Sequence, residues 1–121
     1  MSLHVLIVDD DRDHAESVAD ILEMRGYAIE IAGSGEAGVA KFGEAVFDVV
    51  LMDVKMPGMN GVEAFFAIRQ IKPDAQVVMM TGFSVEELVE RAMNNGAIGT
   101  LRKPLAIPQL LQTFEALAKA A

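Results

Sequence analysis

Apolar residues along this chain fall into five short runs, and longer stretches of mixed polarity separate them. Three of the runs are almost continuously apolar, which is typical of strands covered on both faces of a sheet. The run at 27–32 alternates and contains Glu30, so it predicts an edge strand with one wetter face. The predicted strands are 5–8, 27–32, 47–52, 76–80 and 98–101.

Between the runs, hydrophobic residues recur at the spacing of amphipathic helices. Asp11 and Ser34 stand where capping residues begin the first two helices, and Ser84 with Glu87 matches a capping box. The predicted helices are 12–25, 35–42, 62–71, 84–95 and a last one that starts near Pro108. This alternation predicts an α/β fold, in which five helices doubly wind a five-stranded parallel sheet.

The composition narrows the class of protein. The chain has 121 residues, which suits a single domain spanning 1–121, and its 52% of apolar residues are enough for a core. Cysteine is absent, which excludes a disulfide scaffold, a thiolate metal site and cysteine catalysis. His4 and His14 each lack a neighbouring second histidine, so neither is predicted to ligate a metal or carry a phosphoryl group.

The charge balance bears on partners and location. With 10 basic and 18 acidic residues, the formal net charge is −8. Such a domain repels phosphate backbones and anionic bilayers, so we expect no direct nucleic-acid or membrane binding. No apolar run approaches the ~20 residues of a membrane span, and the start of the chain has no signal-peptide pattern. We therefore expect a cytoplasmic protein.

Polar side chains follow four of the five predicted strands. Because the carboxyl ends of parallel strands meet at one edge of a sheet, we expect these side chains to converge there. The residues concerned are Asp9, Asp10 and Asp11 after the first strand, Asp53 after the third, Thr81 after the fourth and Lys103 after the fifth.

Each of these residues has a functional and an ordinary interpretation. Clustered carboxylates suit a hard cation such as Mg²⁺, but they are also typical of an acidic loop whose Asp11 caps a helix. Asp53 is placed to act as a carboxylate nucleophile, or it merely caps a turn. Thr81 and Lys103 suit the oxygens of a phosphoryl group, although each residue alone is also typical of an exposed strand end. Their joint occurrence favours phosphoryl chemistry.

The order of the motifs makes the family resemblance specific. LIVDDD, MDVKMPGMNG, MMTG and the Lys103-Pro104 pair follow one another as in the receiver domain of two-component response regulators, which this sequence resembles over essentially its whole length. The resemblance implies one receiver domain at 1–121 and a flavodoxin-like sheet with strand order 2-1-3-4-5. It also implies a cis peptide bond between Lys103 and Pro104.

The resemblance further implies a Mg²⁺ site. Asp10 and Asp53 would bind the ion directly, Asp9 would act through a water ligand, and the backbone carbonyl of Lys55 would be a further ligand. The alternative within the same fold is an interaction module that is never phosphorylated.

For phosphoryl transfer, the resemblance implies that Asp53 is the phosphoacceptor. Thr81 would contact the bound phosphoryl group, and Lys103 would pair with its oxygens. The implied partners are a sensor histidine kinase or a phosphotransfer protein, an output domain or effector, and a second copy in a homodimer. Such a domain is a signalling phosphoacceptor that catalyses only its own phosphorylation and dephosphorylation.

Two positions depart from the family pattern. Thr100 stands where the family usually has an aromatic switch residue, which questions the usual readout but not phosphorylation. Phe83 follows Thr81 by two residues, and we expect it either to slow dephosphorylation together with Lys55 or to pack before the Ser84 cap.

An aspartyl phosphatase is disfavoured, because that class has a second aspartate where this chain has Lys55. A flavin site is disfavoured by the aspartates after the first strand, which repel phosphate.

Overall fold

A computed structural model describes residues 3–82 and 86–120. Strands and helices alternate along this part of the chain, as predicted. The strands are β1 (His4–Val8), β2 (Ala28–Ala32), β3 (Val49–Asp53), β4 (Val77–Thr81) and β5 (Gly99–Arg102). The helices are α1 (Arg12–Glu23), α2 (Gly35–Glu44), α3 (Gly61–Ile71), α4 (Glu86–Asn94) and α5 (Ile107–Ala120).

All strands of the sheet are parallel, in the order β2-β1-β3-β4-β5. The chain therefore reverses its direction of winding at β1, and β1 and β3 lie side by side with Val8 opposite Met52. This confirms the predicted fold class and strand order. Strand β2 lies at an edge, and its Glu30 is only half-buried, as the alternating pattern indicates.

Successive residues of the central strands face opposite sides of the sheet, and each side carries its own core. One core joins the sheet to α2, α3 and α4, with Phe65 and Met79 fully buried. The other joins it to α1 and α5, with Ile7 and Phe114 fully buried. Burying one such side chain contributes ~1.5–3 kcal/mol, so the nearly continuous apolar runs are what hold the sheet between its two helical layers.

Helix starts follow the local hydrogen-bond chemistry. Asp11 and Ser34 accept backbone N–H groups of α1 and α2, which confirms both predicted caps. Asn60 and Gly61 begin α3, because Asn60 and Glu63 form a capping box. The capping box predicted at Ser84 and the position of Phe83 lie outside the described residues. Among the described residues, no helix has the length and apolarity needed to cross a bilayer.

Candidate functional site

The predicted site residues meet at the carboxyl edge of the sheet. Asp9 follows β1, Asp53 ends β3, and carboxylate oxygens of Asp9, Asp10 and Asp53 lie within 4.8 Å of one another. Asp9 is fully buried, Asp53 is 5% exposed, and Asp10 is exposed. The edge thus places two buried carboxylates beside a third that faces solvent.

The buried carboxylate of Asp9 accepts hydrogen bonds on both oxygens. The backbone N–H of Asp11 donates to Oδ1 at 2.9 Å, and Nδ1 of His14 donates to Oδ2 at 2.6 Å. Nζ of Lys103 lies 3.3 Å from the same Oδ2. Burial alone raises the pKa of Asp9, but the Asp11 and His14 hydrogen bonds and the Lys103 charge outweigh it, so the pKa is lowered. Asp9 is therefore ionised at neutral pH.

Lys103 bridges the two buried acids. Its Nζ lies 3.1 Å from Asp53 Oδ2 and 3.3 Å from Asp9 Oδ2. Its backbone N–H donates to the carbonyl of Thr81 at 2.7 Å, which fixes the start of the loop after β5, and its bond to Pro104 is cis as predicted. Burial lowers the pKa of Lys103, but Asp53 and Asp9 outweigh it, so the pKa is raised and the ammonium stays charged.

The surroundings of Asp53 stabilise its ionised carboxylate less than those of Asp9 do. Burial raises its pKa to about 6, the Lys103 ammonium opposes that rise, and the charge of Asp9 adds to it. Near neutral pH the Asp53 carboxylate is thus ionised in a place that penalises the charge. Any cation that joins the site relieves this penalty.

The loop between β3 and α3 is pressed against the back of Asp53. Gly61 N–H donates to the carbonyl of Val54 at 2.8 Å, and a Cβ on Gly61 would lie 2.1 Å from the Asp53 carbonyl oxygen. Gly58 has φ of +72°, a backbone conformation that favours glycine. Only glycine lets α3 begin this close to the Asp53 backbone. The sequence pattern alone does not predict this contact.

Three further positions named from the sequence are Thr81, Lys55 and Thr100. Thr81 is half-buried at the end of β4, Lys55 is exposed in the β3–α3 loop, and Thr100 is exposed on β5. Thr81 and Thr100 line one cavity of about 280 Å³ between α4 and β5, with Val89 and Arg102. The threonine at 100 therefore leaves open space next to Thr81.

His14 is the residue that sequence reasoning missed at this site. It was not predicted to take part, yet its ring lies against the buried Asp9. The available signal was its place three residues after the capping Asp11, in the first turn of a helix that follows an acidic strand end.

Sequence comparison finds one family over most of the chain. The sequence model described as response regulator receiver domain matches residues 5–115. A response regulator receiver protein of Anaeromyxobacter sp. (strain Fw109-5) is 38% identical over 106 residues, which cover 88% of this chain and 44% of that protein. The transcriptional regulatory protein ZraR of Salmonella typhimurium is 36% identical over 113 residues, which cover 93% of this chain and 26% of ZraR. The chain thus spans less than half the length of either relative.

Solved structures show the same fold. A CheY-like response regulator receiver domain protein from Methanospirillum hungatei matches with a TM-score of 0.89 and 31% identity, covering 100% of both chains. A receiver domain protein from Clostridium thermocellum matches with a TM-score of 0.92 and 28% identity, covering 98% of this chain and 95% of that one. The resemblance inferred from the ordered motifs is therefore confirmed.

Proposed function

Because this chain belongs to the response regulator receiver domain family, we propose that Asp53 accepts a phosphoryl group from a histidine kinase or a phosphotransfer protein. The chain is a receiver domain of a two-component response regulator, a signalling domain. The observation that carries the proposal is the carboxylate of Asp53, which is nearly buried at the open edge of the sheet and lies 3.1 Å from Lys103 Nζ. A nucleophile in that position has its compensating cation already in place.

The acidic cluster fits a Mg²⁺ ion. Its donors are all carboxylate oxygens, they lie within 4.8 Å of one another, and one of them faces solvent. Asp10 and Asp53 would bind the ion directly, Asp9 would act through a water ligand, and the Lys55 carbonyl would complete the protein ligands. When bound, Mg²⁺ supplies positive charge that offsets the charge on the phosphoryl oxygens.

The transfer itself is a displacement at phosphorus. A carboxylate oxygen of Asp53 forms a bond to phosphorus, the bond to the imidazole nitrogen of the donor breaks, and its electron pair stays on that nitrogen. The product on Asp53 is an acyl phosphate. Lys103 would pair with the oxygens of the transferred phosphoryl group, because its Nζ already contacts the Asp53 carboxylate that accepts this group. The chain thereby catalyses its own phosphorylation and, with water as the attacking group, its own dephosphorylation.

The readout begins at Thr81. Its hydroxyl would donate to the phosphoryl group, and the inward movement would alter the cavity that Thr81 shares with Thr100 and Val89. Thr100 has no ring to rotate into that space, so we propose that α4 itself carries the change. The altered surface would bind a second copy of the chain in a homodimer, or it would bind an output domain or effector.

We propose that residues 1–121 form one receiver domain in the cytoplasm. The relative ZraR is a transcriptional regulatory protein of which this chain covers 26%. Such a relative supports an output domain or effector as the downstream partner. The receiver itself, with its net charge of −8, would contact neither nucleic acid nor a membrane directly.

The test is mass spectrometry after incubation with acetyl phosphate. Wild-type protein with Mg²⁺ should gain one phosphoryl group, and it should gain none in EDTA. Asp53→Asn should gain none in either condition, whereas Asp20→Asn, which removes an exposed acid from α1, should behave as wild type. A wild-type protein that gains no phosphoryl group would contradict the proposal and favour the interaction module that is never phosphorylated.

A further inference from the structure

The first turn of α1 holds the buried carboxylate of Asp9 from both sides. Asp11 caps the helix by accepting the backbone N–H of His14 at 3.1 Å, and the N–H of Asp11 donates to Asp9 Oδ1 at 2.9 Å. The His14 ring, in the same turn, reaches back to Asp9, with its Nδ1 2.6 Å from Oδ2. One helix start therefore fixes the position and the rotation of a single carboxylate group.

The chemistry of this contact assigns the His14 proton. An ionised carboxylate only accepts hydrogen bonds, so Nδ1 must carry hydrogen for the contact to exist. The ring is three-quarters buried, with 23% of its side chain exposed, and Asp9 is fully buried. A short hydrogen bond to a buried anion is of the strong, charge-assisted kind. This contact is therefore more than a surface pairing.

Lys103 cannot replace His14 in this role. Its Nζ is farther from Asp9 Oδ2, at 3.3 Å, and it is shared with Asp53 at 3.1 Å. In the proposed reaction Lys103 turns to the phosphoryl oxygens. His14 is then the side chain, among those described, that keeps Asp9 Oδ2 hydrogen-bonded.

We propose that His14 is a positioning residue for the divalent cation, because it locks the Asp9 carboxylate in the rotation that presents it to the cation. The inference rests on the proposed function, since it presumes that Asp9, Asp10 and Asp53 hold Mg²⁺. His14 is not itself a ligand: the atoms that lie together within 4.8 Å belong to the three aspartates, and Nδ1 is committed to Asp9. The role is orientation from behind the carboxylate that would accept a hydrogen bond from the ion's water ligand.

Removing the donor should weaken Mg²⁺ binding. Partners behind metal ligands typically contribute ~10–100-fold to metal affinity. Because His14 is partly exposed and Asp9 would reach the ion through a water ligand, we place this contact at the ~10-fold end. His14→Ala should therefore raise the Kd for Mg²⁺ about tenfold. His14→Asn should keep most of the affinity, because its amide nitrogen stands close to the place of Nδ1 and histidine and asparagine have similar helix propensities.

The experiment is a calorimetric titration of metal-free protein with Mg²⁺, on wild type and both variants. The matched control is His4→Ala, because His4 also contacts a carboxylate, Glu30 at 3.0 Å, but at the opposite edge of the sheet. The control should leave the Kd unchanged. A second readout is the ¹H–¹⁵N signal of the Asp11 amide, which reports the Asp9 carboxylate directly and should shift in His14→Ala but hardly in His14→Asn.

A purely structural role is separated by the kinetics of labelling with acetyl phosphate. If His14 positions the cation site, His14→Ala should need more Mg²⁺ for half-maximal labelling and should approach the wild-type rate at saturating Mg²⁺. Should His14→Ala not fold, His14→Leu removes the donor at a similar volume and without lowering helix propensity, and the same result is expected.

The inference is overturned if a folded donor-free variant binds Mg²⁺ as tightly as wild type, or if His14→Asn loses as much affinity as His14→Ala. Wild-type protein that binds no Mg²⁺ would overturn the proposed metal site and this inference with it. Wild-type protein that binds Mg²⁺ with no effect of His14 would overturn the inference alone.

Discussion

The two ends of the sheet each carry a histidine paired with a carboxylate, and they differ in burial. At the carboxyl edge, His14 contacts Asp9, whose side chain is 0% exposed. At the amino edge, His4 contacts Glu30, whose side chain is 41% exposed and also lies 3.6 Å from Lys41 Nζ. Water screens the second group well and the buried carboxylate of the first much less. The same residue types therefore make a solvent-screened surface cluster at one edge and a buried acid cluster at the other.

Lys103 should show this contrast at its largest. Lys103→Met removes the ammonium shared by two buried carboxylates and should lower the free energy of unfolding by about 2–4 kcal/mol. The control is Lys41→Met at the amino edge, which should cost under ~1 kcal/mol because both partners are about 40% exposed. Urea unfolding of the two variants in EDTA measures both. Equal losses would show that burial does not separate the two edges.

Glycines at the two ends should respond in opposite directions. Gly61→Ala places a Cβ 2.1 Å from the Asp53 carbonyl oxygen, a backbone atom that cannot move without moving Asp53, and should cost about 1–3 kcal/mol. Gly43→Ala, near the end of α2, meets nothing nearer than Ile71 Cδ1 at 3.8 Å and should stabilise by roughly 0.5–1 kcal/mol. Thermal unfolding distinguishes the signs. If Gly61→Ala left the thermal stability unchanged, the loop behind Asp53 would have room for a Cβ.

The sequence predicts most of the fold and only part of the site, for a physical reason. Apolar runs and capping residues such as Asp11 are local signals. The bounds of the strands and the starts of the helices therefore follow from them to within one or two residues. The convergence of Asp9, Asp53 and Lys103 follows from the topology, because parallel strands end at one edge. Whether a side chain turns inward from a helix start, as His14 does, depends on packing between elements that no local pattern encodes.

Asp53 itself should destabilise the metal-free protein. Its pKa is raised to about 6 in the fold from an ordinary 3.8, so the folded state binds a proton more readily than the unfolded state. Asp53→Asn removes that penalised charge and should stabilise the protein at pH 7 by about 1–3 kcal/mol. That corresponds to ~3–6 °C in Tm for each kcal/mol.

The pH dependence fixes the sign of this effect. Because the folded pKa is the higher one, the Asp53 charge costs nothing below pH ~4, and the cost grows up to pH ~6. The stability gap between Asp53→Asn and wild type should open across that window and stay constant above it. Asp9, whose pKa is lowered, contributes the opposite slope only below its ordinary pKa, which lies outside the window between pH ~4 and pH ~6. A gap that is the same at pH 4 and pH 7 would contradict the assignment.

Mg²⁺ should give a modest change in stability and the sharpest separation of the two edges. An ion that binds only the folded state stabilises it by RT ln(1 + [Mg²⁺]/Kd), which is about 1.4 kcal/mol at ten times the Kd and a few degrees in Tm. Wild type should show the shift and Asp53→Asn should lose most of it, because a ligand and the penalised charge are both gone. Glu30→Gln, which removes a carboxylate from the amino edge, should keep the whole shift. A Tm of wild type that does not respond to Mg²⁺ would mean that Asp9, Asp10 and Asp53 do not form a cation site, and the comparison of the two edges would then reduce to a difference in burial alone.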